Sequence, residues 1–121
     1  MTDQDLSREI TDIDMAKLAE AIEHFRILDK EIPAQVIACF LYIASHDDCN
    51  KIDMEKALKF SSASGSRNTD WLGAFHRLNK PGLGLIVKYR DRTNRRRQVL
   101  QLSPKGRILV QELRQILYPK N

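Results

Sequence analysis

The chain has 121 residues, a length typical of one domain, and 42% of them are hydrophobic, enough for one compact core and too many for a disordered chain. Its longest apolar run covers residues 36–44, far short of the roughly 20 residues that a transmembrane helix needs. The acidic N-terminus lacks the basic and apolar regions of a signal peptide, so we expect a cytoplasmic protein with no membrane contact. Two cysteines, Cys39 and Cys49, are too few for a disulfide framework.

Charge is unevenly distributed along the sequence. Residues 1–31 carry nine acidic and four basic side chains, a net charge of −5, whereas residues 32–121 carry seven acidic and sixteen basic ones, a net charge of +9. The basic residues are densest in segment 88–107, which contains a single acid, Asp91. Such a surplus attracts polyanions, chiefly nucleic acid, although a solvated arginine-rich loop has the same composition.

Hydrophobic spacing predicts two helices before residue 46. Residues 12–29 place an apolar side chain at every third or fourth position, which is typical of a helix with one apolar stripe. Residues 33–45 are apolar on most sides, so this second helix is predicted to be the core element, with Pro33 in its first turn. Residues 46–50 would end it as a loop.

Two more helices are predicted before residue 80, with a loop between them. Asp53 is a suitable N-cap for a short helix over residues 54–60, and residues 61–66 are rich in turn formers. Asn68 or Thr69 would cap the next helix, which is predicted to run to about residue 79. Its buried side would hold Trp71, Phe75 and Leu78, with Trp71 in the core rather than stacked on a base.

After Gly84 the hydrophobic period changes from 3.6 to 2. Alternation predicts strands over residues 85–90 and 99–102, joined as an antiparallel hairpin by a polar, arginine-rich loop. Ser103 and Pro104 then begin a last helix, which runs to about residue 118 and presents Leu109, Leu113, Ile116 and Leu117 on one face. The chain is thus predicted to be mainly α with a small β-hairpin (α+β), as a tail over residues 1–11 and one domain over residues 12–121.

The order of these elements is that of a winged helix-turn-helix, because a short helix, a second helix and a basic hairpin follow a buried helix. The hairpin loop resembles the wing of the multiple-antibiotic-resistance regulator (MarR) family. That wing reads Asp, two residues, Asp, any residue and Arg, followed by an alternating strand, Leu-Thr, two residues and Gly. This sequence matches the pattern at Asp91, Arg96, Leu102 and Gly106, with Asn94 for the second acid and Ser103 for the threonine.

The resemblance extends over about residues 32–118. Residues 32–35 are similar to the start of the family's second helix, and residues 76–80 to the end of its recognition helix. Between Leu58 and Leu78 this chain has more residues than the family pattern, and we expect the extra ones in segment 61–67, before the recognition helix.

The resemblance implies a sequence-specific regulator of transcription that binds double-stranded DNA as a homodimer, most simply a repressor. It implies that Arg96 enters the minor groove. Asp91, on the wing, would hold the Arg96 guanidinium or close the hairpin turn. Arg92, Arg95 and Arg97 are predicted to contact phosphates. The full set of predicted DNA-contacting residues is Ser64, Ser66, Arg67, Asn68, Thr69, Gly73, His76, Arg77, Arg92, Asn94, Arg95, Arg96 and Arg97.

Two flanking helices, over about residues 12–30 and 104–118, are predicted to form the dimer contact, because they carry more apolar surface than one small domain needs to cover. The predicted contact residues are Leu18, Ile22, Phe25, Leu113 and Leu117. The family's small-molecule pockets lie between such helices and the DNA-binding lobe, but nothing in the sequence identifies an effector. Two alternatives remain open: a winged-helix module whose arginines bind an acidic protein, and a DNA replication factor with the same fold.

We expect no enzyme activity, cofactor or metal. The adjacent potential ligands in residues 46–49 lack the paired spacing of metal sites, and no glycine-rich phosphate loop or Ser-His-Asp arrangement is present. Cys39 lies on the predicted buried helix and is interpreted as a small hydrophobic residue rather than a redox sensor.

Overall fold

The structure, a computed structural model, describes residues 9–74 and 80–120, and in these ranges it contains five helices and one antiparallel hairpin. The elements in chain order are α1 (Ile13–Leu28), α2 (Ala34–Ser45), α3 (Lys51–Leu58), α4 (Ser62–Leu72), β1 (Ile86–Arg90), β2 (Gln98–Leu102) and α5 (Pro104–Leu117). The predicted class, mainly α with a small β-hairpin, is confirmed, and α3, α4 and the hairpin follow one another as in a winged helix-turn-helix.

The first and last helices each begin after an N-cap residue whose side chain accepts a backbone hydrogen bond. The Asp12 carboxylate accepts a hydrogen bond from the Met15 backbone N–H (3.2 Å), and the Ser103 hydroxyl accepts one from Gly106 N–H (3.0 Å), with Pro104 at the first helical position. Pro33 is the N-cap residue of α2, immediately before the first helical residue. Among the helices of the described ranges, none is long and apolar enough to cross a membrane.

Helix α2 lies at the centre of the core, as its composition predicts. Phe40 from α2 packs edge-on against Phe25 from α1, with ring centroids 5.6 Å apart and planes at 76°. The core also takes side chains from α3, α4, the hairpin and α5, so that all described elements share one hydrophobic cluster; its fully buried members include Val36, Cys39, Met54, Leu72, Leu85 and Leu100.

Helix α3 begins earlier than predicted, and Asp53 is not its N-cap. Asn50 occupies that position, and its side-chain oxygen accepts a hydrogen bond from the Asp53 backbone N–H at 2.9 Å. Asp53 instead lies in the first turn, where a carboxylate is favoured by the helix dipole.

The predicted loop over residues 61–66 is wrong, because this segment forms the start of α4. Ser61 is the N-cap and accepts a hydrogen bond from Ser64 N–H at 3.1 Å. The Thr69 hydroxyl donates back to the Gly65 carbonyl within the helix (2.8 Å), so neither Thr69 nor Asn68 is a cap. The residues that we assigned to an extra loop are helical, and only residues 59–61 separate α3 from α4. Phe75 and Leu78 lie outside the described residues.

The hairpin pairs Ile86 with Leu102 and Arg90 with Gln98. Its burial departs from the simple alternation that the sequence indicates, because Leu85 and Ile86 are both buried whereas Val87 and Tyr89 are both exposed. The base of the hairpin is inserted in the core, and the rest extends beyond it as a wing.

Candidate nucleic-acid interface

A buried ion pair fixes α4 against α3. The Lys51 ammonium and the Glu55 carboxylate, whose side chains are 14% and 11% exposed, approach to 2.5 Å. Lys51 also donates to the Ser62 carbonyl in the first turn of α4 (3.3 Å). Glu55 in turn lies against Gly65, where an added Cβ would meet the carboxylate oxygen at 1.9 Å. The glycine therefore allows the two helices to approach closely around a charged side chain.

The turn between these helices is short. Lys59 has a φ of 59°, in the left-handed region, and its N–H donates to carbonyls at the end of α3. A turn of three residues is the usual connection of a helix-turn-helix, and α4 is the second helix of that motif.

Three residues predicted to face the DNA from α4 are buried instead. Thr69 is fully buried, and Asn68 is buried with its amide donating to Gln35 of α2 (3.2 Å). Gly73 is the C-cap residue of α4 and is also buried. Its carbonyl packs closely against Gly82, where an added Cβ would lie 2.1 Å from the carbonyl oxygen. The predictions for Asn68, Thr69 and Gly73 are wrong because the helix begins at Ser62 and turns these positions inward.

The exposed side of α4 is formed by other residues. Arg67 is exposed, with its guanidinium donating to the Ser64 hydroxyl at 3.0 Å, while Ser64 and Ser66 are half-buried. Ser62 and Ala63, which the sequence did not single out, are exposed in the first turn. His76 and Arg77 lie outside the described residues.

At the wing tip, Asp91 closes the turn but does not pair with Arg96. One Asp91 oxygen accepts hydrogen bonds from the backbone and the hydroxyl of Thr93 (2.9 and 2.8 Å), and the other accepts one from Arg97 Nη1 (2.7 Å). The Thr93 backbone N–H and the Arg97 guanidinium together lower the pKa of Asp91 to about 2. The expected partner Arg96 is therefore replaced by its neighbour.

Arg97, which was predicted to contact a phosphate, forms two ion pairs within the protein. Besides Asp91, it reaches the Asp48 carboxylate in the loop between α2 and α3, with Nη2 to Oδ2 at 3.1 Å. Both terminal nitrogens of its guanidinium are thus paired with carboxylates of the protein.

Three other arginines of the wing tip are exposed and form no side-chain contact of this kind with a described residue. Arg92, Arg95 and Arg96 are exposed, and their side chains make no ion pair or hydrogen bond with any described residue. The Arg96 backbone N–H donates to the Asn94 side chain (3.1 Å), which fixes the chain direction at the tip. The wing tip, in the most basic segment of the sequence, therefore presents three exposed guanidinium groups on a closed turn.

The remaining basic residues of segment 88–107 are held by the domain. Lys88 on β1 forms an ion pair with Asp70 of α4, which attaches the wing to that helix. Arg90 donates to the Arg95 carbonyl (3.0 Å) and Lys105 to the Leu83 carbonyl (2.9 Å). The Lys88–Asp70 pair was not predicted, because only the three-dimensional structure brings residues 18 apart in sequence together.

The predicted dimer residues divide into two groups. Phe25 and Leu113 belong to the domain's own core and expose almost no surface to a partner, in contrast to the prediction. Leu18, Ile22 and Leu117 are 53%, 43% and 43% exposed. A groove of about 710 Å³ between α1 and α5 is lined by other residues of these helices, among them Ile13, Lys17 and Ile116.

The cysteines are buried, and burial raises the pKa of the Cys39 thiol to about 12 and that of Cys49 to about 11. Both are therefore neutral thiols at physiological pH. Within residues 9–74 and 80–120 there is no group of three or more His, Cys, Asp or Glu side chains able to hold a metal ion.

No family model and no curated protein sequence matches this chain. Solved structures do match it. A MepR–DNA complex from S. aureus has a TM-score of 0.68 and 22% identity, over 87% of this chain and 78% of that one. A MarR transcriptional regulator from Methanosarcina mazei has a TM-score of 0.63 and 16% identity, over 87% of this chain and 68% of that one. A mutant E. coli MarR complexed with operator DNA has a TM-score of 0.62 and 16% identity, over 88% of this chain and 69% of that one. The fold is therefore that of MarR-type winged-helix proteins, as the wing sequence predicts.

Proposed function

With a fold of the MarR type as the premise, we propose that the chain is a sequence-specific regulator of transcription that binds double-stranded DNA and represses as a homodimer. The observation that carries the proposal is the wing tip, where Arg92, Arg95 and Arg96 stand exposed on a turn closed by Asp91. The ion pair from Lys88 to Asp70 links this wing to the recognition helix. The MepR and E. coli MarR structures with the same fold hold DNA, which supports the same role here.

In this proposal α4 enters the major groove and the wing lies over the backbone. Arg67 is the long exposed side chain of α4 and would read guanine or bind phosphate, and the hydroxyl groups of Ser64 and Ser66 would contact the backbone. Arg96 would enter the minor groove, whose negative potential favours arginine. Arg92 and Arg95 would bind the flanking phosphates, with Asn94 beside them at the tip.

Repression would follow from occupation of a promoter by the bound protein. The proposal includes no catalytic activity and a cytoplasmic location. The proposal retains the dimer, because Leu18 and Ile22 of α1 and Leu117 of α5 are exposed apolar side chains that a partner would cover. A two-fold pair would set two recognition helices about 34 Å apart on one face of the duplex. We therefore expect Ile22→Glu to split the dimer in sedimentation and to weaken binding to a two-fold site.

A small-molecule effector is also part of the proposal. The Bordetella bronchiseptica protein BpsR, which matches with a TM-score of 0.56 and 20% identity, has DNA binding regulated by 6-hydroxynicotinic acid. In this chain a cavity of about 280 Å³ lies between α1, α5 and the start of β1, with His24, Leu85, Lys105 and Glu112 in its wall. A ligand there would touch both the flanking helices and the base of the wing.

The test is selection of bound duplexes from random sequence, followed by measurement of affinity against salt. We expect a two-fold symmetric site, and a log–log salt plot that falls linearly because phosphate contacts release counterions. Arg96→Ala should weaken binding by about 1–3 kcal/mol, the range of a good specific contact. The matched control is Arg114→Ala, which removes the same charge from the exposed side of α5 and should leave affinity nearly unchanged.

Two results would redirect the proposal. If no duplex is bound even at low salt, the arginines would belong to a protein-interaction module with an acidic partner. If the selected sites lie at replication origins rather than promoters, the fold would serve replication instead of transcription.

A further inference from the structure

Resting on the proposed function, we infer that Asp48 is a positioning residue for DNA binding, which holds the wing in its binding orientation through Arg97. Asp48 lies in the loop between α2 and α3, outside both the wing and the recognition helix. Its carboxylate contacts Arg97 Nη2 at 3.1 Å, and its backbone carbonyl accepts a weaker hydrogen bond from the same nitrogen at 3.4 Å.

Arg97 is the link because its guanidinium is shared between two carboxylates. Nη1 binds Asp91 at the start of the wing turn, and Nη2 binds Asp48 in the body of the domain. The turn is closed around the same residues, since Asp91 N–H donates to the Arg97 carbonyl and Arg97 N–H donates to the Asn94 carbonyl, both at 2.9 Å. A shift of the Asp48 loop would therefore be transmitted directly to the turn that carries Arg96.

The backbone brings the two segments together at this point. Leu100 N–H on β2 donates to the Cys49 carbonyl at 2.9 Å, and Asn50 forms an isolated bridge with Val99. These contacts fix the middle of β2, but they lie two or more residues from the turn. The Asp48–Arg97 pair is the contact that extends this attachment to the wing tip.

The local conformation favours an Asx side chain. Asp48 has a φ of 53°, a left-handed conformation that Asp and Asn adopt more readily than other non-glycine residues. Its side chain is 76% exposed, so little packing depends on it. Asp48→Asn therefore removes the charge while keeping the backbone and the shape.

The charge of Asp48 means that the two possible roles predict opposite changes in DNA affinity when it is removed. A carboxylate near bound DNA is repelled by phosphate, so removing one without any structural role should strengthen binding or leave it unchanged. Removing a carboxylate that positions the wing should weaken binding instead. Asp47→Asn is the matched control, because it removes the same charge from the adjacent exposed residue, which forms no ion pair with a described residue.

The experiment compares these two variants of the full chain on the selected duplex. We expect Asp48→Asn to weaken binding about 2- to 5-fold, the range that an exposed ion pair supports, with a melting temperature lowered by no more than a few degrees. Asp47→Asn should bind as tightly as the parent or more tightly. In the free protein, NMR order parameters of residues 92–96 should fall in Asp48→Asn and stay constant in Asp47→Asn. The effect of Arg96→Ala should also be smaller in the Asp48→Asn background, because a mobile wing uses that arginine less.

Equal or tighter binding by Asp48→Asn, with unchanged order parameters, would overturn the inference. A continuing loss of affinity in Arg96→Ala would then show that the proposed function survives. Absence of duplex binding by the parent protein would overturn the proposed function itself, and the order parameters would then decide alone whether Asp48 restrains the wing.

Discussion

The contact between Gly65 and Glu55 predicts that Gly65→Ala destabilises the protein, although alanine is the better helix former. In a helix interior the change normally adds about 1 kcal/mol of stability. Here the new Cβ would lie 1.9 Å from a Glu55 carboxylate oxygen and 2.6 Å from both Cγ and Cδ. The whole carboxyl arm must therefore move, because rotation of its tip cannot relieve three such contacts.

Movement of Glu55 separates it from Lys51. Disruption of a buried, paired charge costs about 3–5 kcal/mol, and these side chains are only 11% and 14% exposed. After subtraction of the helix-propensity gain, Gly65→Ala should lower the free energy of unfolding by about 2–4 kcal/mol. Duplex binding should fall as well, because α4 can no longer lie as close to α3.

Urea denaturation of four proteins tests this reasoning: the parent, Gly65→Ala, Glu55→Ala and the double variant. Glu55→Ala alone should be destabilising, because it leaves the Lys51 ammonium unpaired. In that background the obstacle at Gly65 is gone, so Gly65→Ala should now add about 1 kcal/mol of stability. The sign of the glycine substitution thus reverses. Equal effects of Gly65→Ala in both backgrounds would refute the argument.

Three further outcomes are expected. Gly106→Ala should unfold at clearly lower temperature in calorimetry, because its Cβ would lie 2.1 Å from the Leu85 backbone carbonyl, which has no side-chain freedom to yield; a parent-like melting temperature would contradict this. Asp91 has its folded-state pKa lowered from 3.8 to about 2, so its contribution to stability is complete above pH 4 and is lost as pH falls towards 2. Acid titrations of unfolding should show a shallower loss in that window for Asp91→Asn than for the parent. Alkylation of Cys39 should be slow in the folded protein and fast in urea, because its buried thiol with a pKa of about 12 holds almost no thiolate; rapid labelling of the native state would argue against this burial.

The sequence predicted the outer helices and the hairpin well, because their signals are local. Asp12 and Ser103 are strong N-caps, and Pro104 fits only the first turn of a helix. Helix α4 was misplaced because Ser62–Ser66 has the composition of a turn, and tertiary contacts determine its conformation. One signal was present: Gly65, Thr69 and Leu72 are spaced by four and three residues, which places them on one buried helical face.

The site residues were predicted less well, for a related reason. A shift in the start of α4 changes which side chains point outward, so Asn68 and Thr69 were assigned to the DNA although they are buried. At the wing the resemblance implied two alternative roles for Asp91, holding Arg96 or closing the turn, and its hydrogen bonds are those of the second role. The adjacent residues Arg96 and Arg97 are chemically equivalent in the sequence. Only the folded hairpin, which brings Arg97 to both Asp91 and Asp48, distinguishes the paired arginine from the exposed one.

The small side chains of α4 have a consequence for how a duplex would be discriminated. In the described part of the helix, Ser62, Ala63 and Ser66 reach only a short distance from the backbone, and Arg67 alone is long. In the proposed complex, a helix with such short side chains would lie close to the base edges of the major groove. Such a helix offers few side-chain donors to the bases, so its sequence preference should be concentrated at the few base pairs that Arg67 reaches. The strongest preference from α4 would then be for one or two guanines per half-site, and the wing would add its own preference through the minor groove.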